Sequence, residues 1–227
     1  MEASKTRLFF HYSCSMIHLI GISYHCMEVH LPTYSLFGGR FRFLTFINMV
    51  WQWLFFTILA VLEFQALTKK RKHELVASLC DFLYAGWTFP LGITVAALFW
   101  GLCIIDPHAI QSKEDLEQIP LWLNHYMHSF PGLSVILETF LFKHEYPTRS
   151  NGLKAVFGLT LGYTAWMVVI FCMGGIWVYP FMRKLNILQL VLFFTGAYLL
   201  VAVVYFLGEV LSKFGGFLER PGPKKDT

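Results

Sequence analysis

The sequence predicts an all-α protein: a polytopic membrane helix bundle of about six transmembrane helices, with both the N- and C-termini cytosolic. Three observations lead there. Hydrophobic residues make up 56% of the 227-residue chain and charged residues only 14%, against roughly 25% charged in soluble domains. Six stretches each supply the ~20 mainly apolar residues that a helix needs to cross a bilayer. The lysines and arginines fall in short loops between those stretches, and mostly in every second loop. A soluble chain of this length has no interior large enough to hide so much apolar surface, so lipid is its natural solvent.

The length suits one domain, taken as a single membrane domain over residues 1–227. Its spans are expected at 8–27, 43–67, 82–105, 121–142, 155–178 and 187–211. The runs are continuous rather than alternating, which favours helices over a barrel. The first stretch imitates a signal peptide, but His11, His18 and the lack of a small-x-small cleavage site make it a span. The third has room to begin at Leu75, with Asp81 at the interface and a kink at Pro90. Six spans place both termini on one side. That side carries Lys5, Arg7, Lys69, Lys70, Arg71, Lys72, Lys143, Arg149, Lys154, Lys213, Arg220, Lys224 and Lys225, whereas the other has Arg40, Arg42, Lys113, Arg183 and Lys184. The positive-inside rule puts the richer side in the cytosol. The acidic loop at 113–117 then lies outside or in the lumen, where Trp177 and Tyr179 form an aromatic belt.

The net charge of +4 is spread over loops, leaving no basic face for nucleic acid. The cysteines number five and lack CxxC spacing; Cys14, Cys80, Cys103 and Cys172 fall in apolar stretches and read as buried free thiols. Polar groups inside a span need a reason in lipid. One cluster, Arg40, Arg42, Thr45, Asn48 and Gln52, opens the second span; Thr45, Asn48 and Gln52 share a helical face. Another, Asn124, His125, His128 and Ser129, opens the fourth. Both spans run inward from the outer face, so Thr45 and His128 are expected at similar depth. A neutral imidazole can take the proton of a hydroxyl, the pairing used in nucleophilic catalysis. Asn48 or Asn124 would serve as oxyanion donors. No acid is placed to orient His128: Asp81 lies near the opposite end, and Glu138 ten residues deeper. Taken alone, the pair has a plainer explanation, since an intramembrane Thr usually bonds its own helix and a His usually packs. A third pattern, His11, His18 and His25 at seven-residue spacing, lines one stripe of the first span. It reads either as a polar seam or as haem ligands, although haem would need facing histidines on a second span.

The segments from Gly38 to Asn48 (GGRFRFLTFIN) and from Ile119 to Ser129 (IPLWLNHYMHS) resemble the second- and fourth-span motifs of a known family. So do Phe89-Pro90, Tyr146-Pro147, Gly175-Ile176-Trp177-Val178-Tyr179-Pro180-Phe181 and Leu207-Gly208-Glu209, in order along nearly the whole chain. The family is the androgen-induced and androgen-dependent TFPI-regulating proteins, multipass membrane threonine hydrolases of fatty acid esters of hydroxy fatty acids (FAHFA). The resemblance implies Thr45 as nucleophile and His128, not His125, as base. Ser129 stands where the family often has Thr, and the loop 106–118 diverges. The resemblance implies a lipid ester hydrolase that needs no cofactor or metal, in the cell membrane or endoplasmic reticulum, acting on FAHFA drawn from the surrounding lipid. Arg42 would hold the substrate carboxylate, with Asn48 and Asn124 beside the ester. The competing expectation is a non-enzymatic multipass regulator or lipid-binding protein.

Overall fold

The computed structural model describes residues 2–69, 74–106, 108, 110 and 118–219. The described residues form no strand; the chain is an all-helical bundle, as its composition requires. Helix α1 spans Glu2–Glu28. Two 3-10 turns, Pro32–Ser35 and Gly39–Arg42, lead into α2, Leu44–Lys69. Then come α3 (Glu74–Leu83) and α4 (Phe89–Ile105), joined through a π-helical turn at Tyr84–Thr88. Helices α5 (Leu121–His128), α6 (Phe130–Leu141), α7 (Arg149–Gly174) and α8 (Ile187–Phe214) complete the bundle. Among the described residues, four helices are long and apolar enough to cross a membrane: Leu44–Thr68, Glu74–Ile105, Arg149–Gly174 and Ile187–Phe214. The chain is therefore an integral membrane protein. The basic run 70–72, the acidic loop 113–117 and the tail from 220 lie outside the described residues.

Contacts along the helices show that neighbours alternate in direction. Arg7 pairs with Glu63 at 3.2 Å, Ser15 meets Thr57 at 2.7 Å, and the His25 ring lies 5.3 Å from Phe46, so α1 and α2 are antiparallel. Tyr84 reaches Val135 O at 2.6 Å while Phe99 stacks on His128, which opposes α3–α4 to α5–α6. Arg149 binds Glu209 at 3.0 Å and Phe157 faces Tyr198, which opposes α7 to α8. The N-terminus, the 142–148 link and the end of α8 consequently share one end of the bundle. The C-terminal ends of α1, α4 and α7 share the other.

Two prolines shape the rods. The fourth apolar stretch, expected as one helix, is broken at Ser129 between α5 and α6. Pro131 sits in the first turn of α6, has no N–H for the carbonyl of Met127, and its ring crowds that carbonyl. The kink expected near Pro90 takes the form of the π turn, where Phe89 N–H bonds Tyr84 O five residues back. The wider turn gives the proline ring room. Cys172, expected buried, is exposed on the outer surface of α7, while Cys14 and Cys80 are buried; all five thiols are free.

Lipid is as apolar as leucine, so these helices associate through close packing and interhelical hydrogen bonds. A Cβ on Gly92 would lie 2.7 Å from Gln52 Nε2 and 2.9 Å from Pro131 O, which explains a glycine where α2, α4 and α6 meet. The His stripe of α1 behaves as a polar seam. His11 Nε2 meets Glu138 Oε2 at 3.1 Å, His18 Nδ1 meets Tyr126 Oη at 3.1 Å, and Tyr34 Oη meets His25 Nε2 at 2.9 Å. Each ring meets a different partner.

At the terminal end, His144 closes a buried knot. Its Nδ1 lies 2.9 Å from Asp81 Oδ1 and its Nε2 lies 3.0 Å from Glu138 Oε1. Tyr84 stacks on the ring at 3.8 Å. Burial opposes charge on His144, but the hydrogen bonds to Asp81 and Glu138, with their negative charge, outweigh it and raise the pKa above 6.5. A raised folded-state value stabilises the fold fully below the unfolded pKa of ~6.5 and is lost as pH rises through the folded value. Thermal unfolding in detergent should therefore show the melting temperature falling as pH is raised from about 6.5. His144→Gln should lower it on the acid side and flatten that dependence.

Candidate functional site

The site is built where α2 begins. Gly38 and Gly39 both take left-handed backbone, with φ of 86° and 51°, which costs a glycine little. This folds the chain into the Gly39–Arg42 turn that delivers α2. The turn is clamped by α7: Trp166 Nε1 donates to Phe41 O at 2.9 Å and Tyr163 Oη donates to Arg42 O at 3.0 Å. The first amide of α2, Leu44 N–H, is shared between Tyr163 Oη at 3.0 Å and Tyr179 Oη at 3.3 Å, and the two hydroxyls lie 2.9 Å apart. A helix start inside lipid needs acceptors like these because water is absent.

Thr45 follows directly. Thr57, Thr68, Thr139, Thr160 and Thr195 each donate to the carbonyl four residues back. Thr45 cannot, since the carbonyl four residues back belongs to Phe41, which lies before α2 and is taken by Trp166. Its hydroxyl has no hydrogen-bond partner among the described residues.

His128 is the last residue of α5, 3% exposed. Its Nδ1 lies 2.9 Å from the carbonyl of Asn124, so Nδ1 carries the proton and donates. Nε2 is thus the basic nitrogen, and it has no protein partner among the described residues. Phe99 of α4 lies face to face on the ring, with centroids 3.4 Å apart and planes 6° from parallel. The group that orients His128 is therefore a main-chain carbonyl, with an aromatic ring fixing the plane. No carboxylate is needed: Asp81 and Glu138 are engaged with His144. His125 is exposed and stacks on Trp100, whose Nε1 donates to Ser129 Oγ at 3.1 Å.

Two cavities meet here. One, of about 110 Å³ and partly open, lies among α2, α4, α7 and α8 and is almost wholly apolar. The other, of about 50 Å³, has His25, Tyr34, Met127 and His128 in its lining. Thr45 and Tyr179 line both. The hydroxyl and the imidazole expected to meet do share one cavity wall. The other expected residues do not line either cavity. Arg42, 2% exposed, reaches Thr33 O at 3.3 Å and lies over the Phe43 ring. Burial and the nearby Arg183 lower its pKa from the usual value. Asn48 accepts from Gln52 Nε2 at 3.2 Å, and Gln52 bridges to Ser134 of α6. Asn124 contributes its main-chain carbonyl instead of its amide. The sequence had not marked Phe99, an aromatic in an apolar run like many others, nor Tyr163. Tyr179 stood out only as a belt residue.

These features define an all-helical integral membrane protein with a hydroxyl and an imidazole lining a common cavity. The chain matches the family described as FAR-17a/AIG1-like protein over residues 6–213. It is 33% identical over 194 residues to the human androgen-induced gene 1 protein, covering 82% of each chain. It is 30% identical over 190 residues to the human androgen-dependent TFPI-regulating protein, covering 83% of each, and 31% identical over 176 residues to that of Mesocricetus auratus, covering 77% of this chain and 76% of the relative. No solved structure matches. The protein belongs to the FAR-17a/AIG1-like family.

The shared cap on Leu44 makes a quantitative prediction. Tyr163→Phe and Tyr179→Phe should each lower stability by about 0.5–1.5 kcal/mol, because each leaves one acceptor. The double variant removes both, so its loss should exceed the sum by about 0.5 kcal/mol or more. A double-mutant cycle of denaturant unfolding in detergent measures it.

Proposed function

We propose that the protein is a membrane-embedded lipid ester hydrolase that cleaves fatty acid esters of hydroxy fatty acids. The observation that carries this reading is the shared cavity: a threonine hydroxyl free of its own helix and an imidazole with a free Nε2 line the same wall. Thr45 Oγ attacks the ester carbonyl as His128 Nε2 takes its proton. The alkoxy C–O bond then breaks, and His128 returns the proton to the departing hydroxy fatty acid. A water, deprotonated by His128, releases the second fatty acid from Thr45. The chemistry is complete in these side chains and water. Arg42, Asn48 and Asn124 support the reaction from behind the cavity walls, by holding the turn before α2, the α2–α6 contact and the His128 ring.

The active end is the one with the sparser basic loops, which places it on the outer or lumenal side of the cell membrane or endoplasmic reticulum. A second reading, a non-enzymatic regulator or lipid-binding protein, draws on the apolar cavity and on the name of the TFPI-regulating relatives. Purified protein separates the two. Thr45→Ala and His128→Ala should each reduce FAHFA hydrolysis on the order of a thousandfold or more while leaving the fold intact. Thr45→Ala should also abolish labelling by a fluorophosphonate probe. Undiminished hydrolysis by Thr45→Ala would reject the nucleophile, and wild-type protein that binds FAHFA without consuming it would favour the second reading.

A further inference from the structure

Resting on that reading, the positions of the two cavities assign the two arms of the ester. His128 lines only the smaller cavity, whereas Thr45 lines both. The general acid must reach the alkoxy oxygen that leaves, and the nucleophile must reach the carbonyl carbon bonded to it. The alcohol arm therefore lies on the His128 side, among His25, Tyr34 and Met127. The acyl arm, left on Thr45 after the C–O bond breaks and the proton passes to the alkoxide, has the other cavity to occupy. That cavity suits a long hydrocarbon chain. Its α4 wall alone runs from Pro90 to Leu102, about 18 Å at 1.5 Å per residue. Of the side chains that line it, threonine and tyrosine hydroxyls supply the polar atoms.

The smaller cavity is also mostly apolar but carries the larger polar share. The His25 and Tyr34 side chains are hydrogen-bonded to each other at 2.9 Å in its wall, and the Arg40 guanidinium lies 4.6 Å above the Tyr34 ring. An arm with a polar or anionic group is better matched there than in the apolar chamber.

We infer that the cavity among α2, α4, α7 and α8 is the acyl-chain subsite, and that Ala197 of α8 and Thr160 of α7, small residues in its lining, set the acyl length the enzyme accepts. Neither residue touches Thr45 chemistry or the His128 ring. A larger side chain at either position shortens the chamber without altering the reacting groups.

The test uses full-length protein in detergent micelles with two ester series. In one, the acyl arm varies from acetyl through octanoyl to palmitoyl on a fixed hydroxystearate. In the other, a fixed acetyl arm is joined to alcohols of increasing length. Ala197→Phe and Thr160→Phe should cut palmitoyl ester hydrolysis by about tenfold or more and leave the acetyl ester within about twofold. Ala197→Leu should move the cut-off by less. The acetyl ester reports whether each variant is folded. Equal losses across the acyl series in a variant that keeps the wild-type thermal unfolding, or a changed preference in the alcohol series instead, would overturn the assignment while the hydrolase reading stands. Wild-type protein inert toward every ester would overturn the hydrolase reading itself, and the arm assignment with it.

Discussion

The start of α2 is the constraint on which this bundle turns. A helix that begins inside lipid exposes amide protons that no water can satisfy. Here the first of them is held by two tyrosine hydroxyls brought from α7 and from the segment after it. The Tyr163 hydroxyl also ties down the carbonyl of Arg42. One small hydrogen-bonded unit thus fixes where α2 starts, how the Gly38-Gly39 turn enters it and where α7 packs. Thr45 inherits its position from that unit. Being the second residue of the helix, it has no free carbonyl one turn behind, and its hydroxyl is left for the cavity.

His128 reaches the same cavity by a different route. Pro131 breaks the fourth rod just after it, and the ring is set by the Asn124 carbonyl and the Phe99 face. The two ends of the bundle divide the polar work between them. The terminal end holds a tight knot of Asp81, His144, Glu138 and His11, all committed to one another. The opposite end keeps a hydroxyl and a ring nitrogen uncommitted. Lipid-buried polar groups are costly unless paired, so unpaired ones that face a cavity are where a substrate would find partners.

Cross-helix packing explains why the two ends hold their shapes. Gly92 lets Gln52 of α2 reach the carbonyl of Pro131, and Ser134 completes the bridge. Interhelical hydrogen bonds of this kind contribute on average ~0.6 kcal/mol each in lipid, so their value lies in fixing register. A shift of either helix by one residue would rotate Thr45 or His128 away from the shared wall.

Composition and hydropathy determined that the chain is helical and lives in a membrane, because runs this apolar need lipid and their lack of alternation favours helices over a barrel. The spacing of Thr45, Asn48 and Gln52, and of Asn124 and His128, was legible too, since helical faces follow from the 3.6-residue period. What the sequence left open was which of these residues meet. Arg42, Asn48 and Asn124 were expected beside the substrate, yet of these five residues only Thr45 and His128 line the cavity. Periodicity fixes a face but not its neighbour, and hydrogen bonds such as Leu44 to Tyr163 join residues 119 apart. The partner that orients His128 was hidden for the same reason: a main-chain carbonyl carries no signature in the sequence, and Phe99 becomes distinctive only when α4 packs against α5.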